Sequence, residues 1–195
     1  LTLVRGLLPV PGVLEVRRAD PAAGMPALLV TTFLPGTRAD LLMPTLDDDG
    51  LARLGAACGR IAGTLGGMPL LQRGMFTDAE LRTEPNDCDL PAYVESLDLD
   101  LPGLPEVAVH AQALLDEERR TCLVHSDLNP KNLLVDPETL EITGVLDWEY
   151  AHAGHPFVDL GNLLRFDRDP AYVDAVLLSY AEVRGTPPPR ALELA

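Results

Sequence analysis

The sequence predicts an α+β chain that becomes mostly helical after its first strands, and three observations carry that reading. Two short apolar runs joined by a turn open the chain. A 3.6-residue apolar period takes over from Asp47. Three further apolar runs crowd around the polar stretch HSDLNPKN at 125–132, before two more helical patterns close the chain.

In order, residues 12–18 (GVLEVRR) and 27–34 (ALLVTTFL) read as strands, with DPAAGMP as the turn and Pro35-Gly36 as a stop. From Asp47, Leu51, Leu54, Cys58, Ile61 and Leu65 fall at helical spacing. Asp47–Asp49 precede them, where a helix dipole favours acids, so these aspartates read as a helix start. Several glycines in this stretch count against a helix. Residues 66–104 are rich in Gly, Pro and Asp and read as a long connection, with one helical turn around PAYVESL. A helix follows over 105–120, with Pro105 suited to its first turn. TCLVH, NLLVD and ITGVLDWEY then read as strand, loop, strand, turn, strand. Helices are predicted over 157–166 and 170–184, and GTPPPRALELA reads as a tether.

Composition bounds the function. The 195 residues suit one domain, or one domain and part of another, and 47% apolar residues can build a sizeable core. No run approaches the roughly 18 apolar residues of a membrane span. The start, LTLVRGLLPVPG, lacks a cleavage region, so no signal peptide is expected. Cys58, Cys88 and Cys122 lack metal-ligand spacing and read as free thiols in a reducing cytoplasm. Acidic residues number 30 against 15 basic ones, a net charge of −15, and Lys131 is the only lysine. Such a surface does not suit nucleic acid or an anionic membrane. It suits a cationic ligand through its field, although solubility is the commoner use of acidity.

The loop at 125–132 poses the chemical question. Asn-Pro starts turns well, and Ser and Asp bond readily to nearby backbone, so a turn between two strands is one reading. Phosphoryl transfer is the other. It requires a carboxylate to orient the attacking hydroxyl and oxygen ligands for Mg²⁺. Asp127 and Asn132 lie in the loop. Asp147 ends the apolar run ITGVLD, and a hairpin can return it beside Asn132 so that both face one metal.

HSDLNPKN followed by GVLDWEYAHAGHPFVDLGNLLR resembles the aminoglycoside phosphotransferase and choline kinase family, small-molecule kinases with a protein-kinase-like fold. ALLVTTFLPG resembles the strand and hinge between its two lobes, and RGMFTDAELRTEP the segment after the first large-lobe helix. The resemblance implies residues 1–36 as the remnant of a small N-terminal lobe with hinge, and 37–195 as a large catalytic lobe. It implies ATP and Mg²⁺ as cofactors and a small-molecule hydroxyl as acceptor. Asp127 would be the catalytic base, with His125 bracing its loop. Asn132 and Asp147 would be the metal ligands. The backbone around Thr32 and Leu34 would bond the adenine edge, above Leu134 and Leu146. Asp159 would hold the loop from behind, and Glu149 and Tyr150 would lie near the substrate opening. Trp148 reads as packing. His152 and His155 read as solvated loop histidines, and His155 departs from the aspartate that commonly precedes this proline in the family.

Much of the small lobe is missing from this pattern. Only some 27 residues precede LLVTTF, no G-x-G-x-x-G appears, and Lys131 lies inside the catalytic loop. The C-terminus also falls short of the family's usual helices. A piece of a longer chain is expected, because two strands cut from a larger sheet expose apolar edges. A non-catalytic nucleotide-binding or interaction module built on a kinase large lobe is the competing function. A protein kinase fits less well, since LDWE stands where D-F-G is needed and no A-P-E follows.

Overall fold

The computed structural model describes residues 1–85 and 89–195, so the thiol of Cys88 lies outside the described residues. The predicted opening strands form. β1 (Val13–Arg17) and β2 (Leu28–Thr31) pair antiparallel as a sheet of their own. Asp20 caps their turn by accepting the N–H groups of Ala22 and Ala23, and Gly24 closes it at φ +65°, a conformation free of Cβ cost only for glycine. At the base, Thr32 donates its N–H to the Gly12 carbonyl and accepts the Gly12 N–H on Oγ1.

The chain then enters the body through β3 (Thr37–Arg38) and α1 (Ala39–Leu42). α2 (Asp48–Gly66) begins where the acidic cluster predicts, with Asp47 accepting the Gly50 N–H. Its glycines have a packing reason. Gly55, Gly59 and Gly63 recur every four residues and so share one face, which meets α6 (Pro170–Arg184). A Cβ on Gly55 would stand 2.5 Å from the Tyr172 carbonyl oxygen. One on Gly59 would strike the Val176 carbonyl, and one on Gly63 would lie 2.9 Å from Val183 Cβ. The two helices therefore approach backbone to side chain-free backbone, and Leu54, Cys58, Tyr172, Val176 and Tyr180 fill the core beside the contact. Burial pushes the Cys58 thiol up to about 12, and Cys122 likewise to about 12; both are free and buried.

Residues 66–104 hold more structure than a connection. β4 (Gly74–Phe76) and β5 (Thr83–Glu84) form there, and α3 (Leu90–Ser96) runs seven residues behind the Asp89 cap. These strands are too short to show an alternating pattern; their pairing partners define them. α4 (Leu104–Glu117) follows close to its predicted span. β4 and β5 join β6 (Cys122–Val124) and β9 (His152–Gly154) in a sheet of order β5-β4-β9-β6. β9 corrects the reading of HAGH as a solvated loop. His152 pairs with Met75 and Val124. His155 is only 5% exposed, its ring beside Phe157 at 5.5 Å, and burial lowers its pKa to about 4, so it is buried neutral.

A third sheet, β3-β7-β8, contains β7 (Leu133–Val135) and β8 (Ile142–Val145), the hairpin expected after the polar loop. The first residues pack beneath it: Val4 and Leu8 are in the core, and the Pro9 carbonyl accepts the Val145 N–H. α5 (Val158–Leu164) precedes α6. The predicted tether is instead α7 (Pro188–Leu194), which buries Ala191 and pairs Arg190 with Glu117 and Glu193. Its proline run supplies the residues that suit a helix's first turn. Among the described residues no helix is long and apolar enough to cross a membrane.

Candidate active site

The loop between β6 and β7 begins at His125, whose side chain is fully buried. Burial lowers its pKa, against opposing pulls from the Leu146 carbonyl, Asp127 and Asp147, and the ring is neutral. Nδ1 accepts the Asp127 N–H at 3.3 Å, so the proton sits on Nε2 and is donated to the Leu146 carbonyl at 2.7 Å. The ring also lies 4.7 Å from that of Trp148. Through these contacts one side chain ties the loop to the end of β8.

α5 holds the loop from its other side. Asp159, Asn162 and Arg165 stand three residues apart and so share a helix face. The Asp159 carboxylate accepts the N–H groups of His125 at 2.8 Å and Ser126 at 2.9 Å. Asn162 Nδ2 donates to the Ser126 carbonyl at 2.8 Å, and Arg165 donates to Asp127 Oδ1 at 3.4 Å. Burial raises the Asp159 pKa to about 6 while the two N–H bonds pull it down, and with both oxygens accepting it is ionised at neutral pH. Ser126 needs this grip. Its φ is +71°, a left-handed conformation that costs a non-glycine residue about 1–2 kcal/mol.

Asp127 itself is oriented by amides. Asn129 Nδ2 donates to Oδ1 at 2.8 Å and Asn132 Nδ2 to Oδ2 at 2.9 Å. An ionised carboxylate offers about four lone-pair directions. Asn129, Asn132 and Arg165 take three, and the side chain keeps 32% of its surface exposed. One direction remains for an incoming hydroxyl.

Asn132 spends its amide nitrogen on Asp127, and its amide oxygen has no donor among the described residues. Its carbonyl accepts the Leu146 N–H at 2.8 Å, which brings the next residue, Asp147, to the same end of the β7–β8 hairpin. Asp147 is exposed at φ +63° and makes no hydrogen bond or ion pair among the described residues. Aspartate and asparagine are the non-glycine residues that tolerate this conformation best. An amide oxygen and a carboxylate are a hard donor set of the kind Mg²⁺ takes, with substrate phosphates and water completing it. Among the described residues no cluster of three His, Cys, Asp or Glu gathers as a self-sufficient metal cage.

Beside Gly36, in the stretch expected to be the hinge, lies a cavity of about 450 Å³ whose lining includes Thr32, Leu34, Leu134 and Leu146, so it brings together all four residues the resemblance assigns to the nucleotide. The Thr32 N–H is committed to the Gly12 carbonyl, whereas the Leu34 N–H has no partner among the described residues. Gly36 is obligatory at this wall: at φ +133° its Cβ would lie 2.5 Å from Thr143 Oγ1, which bonds the Pro35 carbonyl. Glu149 and Tyr150 are exposed and line neither this cavity nor the one beside Asn129. Sequence reasoning missed Asn129, Asn162 and Arg165. The three-residue spacing in DLGNLLR was the available signal for the last two.

The model of the phosphotransferase enzyme family matches residues 1–193. A stretch of acyl-CoA dehydrogenase family member 11 from Mus musculus is 32% identical over 75 residues, 38% of this chain and 10% of that protein. This chain thus matches about a tenth of that curated relative's length. The macrolide 2'-phosphotransferase of Brachybacterium faecium is similar in structure with a TM-score of 0.60 at 21% identity, over 100% of this chain and 67% of that one. A mutant aminoglycoside phosphotransferase in ternary complex with ADP and hygromycin B gives 0.59 at 16% identity, over 97% and 68%. At these identities the likeness shows the fold, which is protein-kinase-like as the motifs imply.

Proposed function

The chain belongs to the phosphotransferase enzyme family, and we propose that it moves the terminal phosphoryl group of ATP to a hydroxyl of a small molecule. The observation that carries this reading is the Asp127 carboxylate, fixed by Asn129 and Asn132 with one lone-pair direction open. The acceptor hydroxyl donates to that direction. Its oxygen bonds to the terminal phosphorus as the bond to ADP breaks, with the electron pair leaving on ADP. The hydroxyl proton passes to Asp127 and on to water. The hinge cavity takes the adenine, with the Leu34 N–H as donor and Leu134 and Leu146 against the ring. Asn132 Oδ1 and Asp147 would hold Mg²⁺, which when bound offsets the charge on the phosphates. His125 and Asp159 position the loop.

The test is ADP release by the full chain with ATP, Mg²⁺ and a panel of hydroxyl compounds, against Asp127→Asn and Asp147→Asn. Asparagine is the correct control at 147 because it keeps the left-handed backbone. Acceptor-dependent ADP release that falls at least about 100-fold in Asp127→Asn is expected. A chain that binds ATP and releases no ADP with any acceptor is a nucleotide-binding module. That second reading draws on Lys131, the sole lysine, which lines the cavity beside Asn129 and not the hinge cavity.

A further inference from the structure

β9 runs away from the loop at 125–132. Its His152 pairs with Val124 and its Gly154 with Cys122, so each step along it lies about 3.3 Å farther from His125. Beyond its far end, His155 lines a cavity of about 650 Å³. This cavity shares no lining residue with the hinge cavity or with the one beside Asn129, and Asp127, Asn132 and Asp147 do not line it.

His155 carries an unspent donor. The Phe157 N–H donates to Nδ1 at 3.4 Å, so the ring proton is on Nε2. Nε2 is buried and has no acceptor among the described residues. Buried donors of this kind are rare in native structures. An aspartate commonly stands at this position in the family, so the donor is a departure from the family's pattern.

The charges near the donor leave Arg73 as the unpaired one. Arg73 is exposed, lines the same cavity and makes no hydrogen bond or ion pair among the described residues, and its field acts on His155. Glu118 and Arg120, paired with each other at 3.8 Å, pull on His155 in opposite directions. Asp89 lines the cavity and accepts the Ala92 N–H at the start of α3. His152, also in the lining, has Nδ1 2.9 Å from the Tyr150 carbonyl. Met75, Leu90, Leu115 and Val158 add apolar lining.

We propose that this cavity is a binding site for a small monocarboxylate with an apolar body. One carboxylate oxygen accepts the His155 Nε2–H, Arg73 pairs with the carboxylate through its guanidinium fork, and the apolar body lies against Leu90, Leu115 and Val158. A phosphate monoester carries about two charges at neutral pH, and it would meet Asp89 with a single guanidinium to offset them. The site needs neither nucleotide nor turnover, so it stands apart from the phosphotransferase reading.

The test is calorimetric titration of the full chain at neutral pH, without nucleotide, using four probes. Hexanoate carries both the charge and the apolar body, hexanamide is its neutral isostere, acetate lacks the apolar body, and hexyl phosphate carries the second charge. The wild-type chain is expected to bind hexanoate about fivefold or more tighter than each of the others. Arg73→Gln changes an exposed position, so it should keep the wild-type melting midpoint while losing the preference for hexanoate over hexanamide. In proton NMR the His155 Nε2–H signal, identified by its absence from His155→Gln, should move when hexanoate is added. Equal affinity for hexanoate and hexanamide overturns the proposal, as does tighter binding of hexyl phosphate. A hexanoate preference that survives Arg73→Gln, an Nε2–H signal that hexanoate leaves unmoved, or no binding of hexanoate at all does the same.

Discussion

Between Val124 and Leu133 the chain is held by side chains 33 to 38 positions away, whereas between Gly12 and Thr32 it is held by its own neighbours. In the loop at 125–132 the anchoring groups are polar and supplied by one helix face, with Asp159 buried, Asn162 half-buried and Arg165 exposed. In the β1–β2 hairpin the hydrogen bonds among the described residues are those of the ladder, its turn and the Gly12–Thr32 clasp, and Leu14, Val16 and Leu29 are more than half exposed. A lone two-stranded sheet is marginal in water. The difference shows where geometry is over-determined. The loop and its neighbouring strand end sustain two left-handed residues, Ser126 and Asp147, while the hairpin keeps φ +65° for a glycine.

The most severe way to break this contrast is Asp159→Ala. One buried and one half-buried N–H group would lose their acceptor, and stability should fall by about 2–4 kcal/mol in urea denaturation. A loss under about 1 kcal/mol would mean that α5 does not hold the loop. Gly59→Ala should come next, destabilising by about 1–3 kcal/mol because overpacking against the Val176 carbonyl outweighs alanine's better helix propensity.

His155 supplies a pH signature. Its folded pKa is depressed to about 4 from 6.5, so its contribution to stability is full above pH 6.5 and lost as pH falls toward 4. Asp159, raised to about 6, acts with the opposite sign: what it contributes is present below its ordinary value of 3.8 and lost as pH rises through 6. The stability difference between wild type and His155→Gln cancels the Asp159 part, and it should grow from pH 4.5 to 7. A flat difference would show that the imidazole is not buried neutral.

Ser126→Gly should raise the melting midpoint slightly, a gain of up to about 1 kcal/mol from relieving the left-handed serine, offset by the glycine's extra chain entropy. The smallest effect belongs to the hairpin. Leu14→Ser should change global stability by less than about 0.5 kcal/mol, with hairpin amides exchanging ahead of those at 124–133.

Legibility in the sequence follows the same division. The helices over 48–66, 104–117 and 170–184, the opening hairpin and the strands beside the polar loop all declare themselves through period and turn residues. β4, β5 and β9 do not, because two or three residues cannot display a period and only their partners make them strands. α7 hides behind prolines that begin a helix as readily as they prevent one. The glycines of α2 counted against it for the right local reason, but tertiary contact with α6 overrides propensity there. At the site, Asp127, Asn132, Asp147 and Asp159 stand out by motif, whereas Arg165 is marked only by the three-residue spacing in DLGNLLR, whose meaning shows once α5 is laid against the loop.

The Gly12–Thr32 clasp has a consequence for how the chain can be rebuilt. The polypeptide leaves the body at one residue and returns at another to which it is already hydrogen-bonded, so everything between is a detachable cassette. Closing so small a gap with a few linker residues adds little loop entropy. The core that Val4 and Leu8 complete therefore remains whole when the hairpin is exchanged for another, and the ceiling of the hinge cavity becomes a part that can be swapped without refolding its floor.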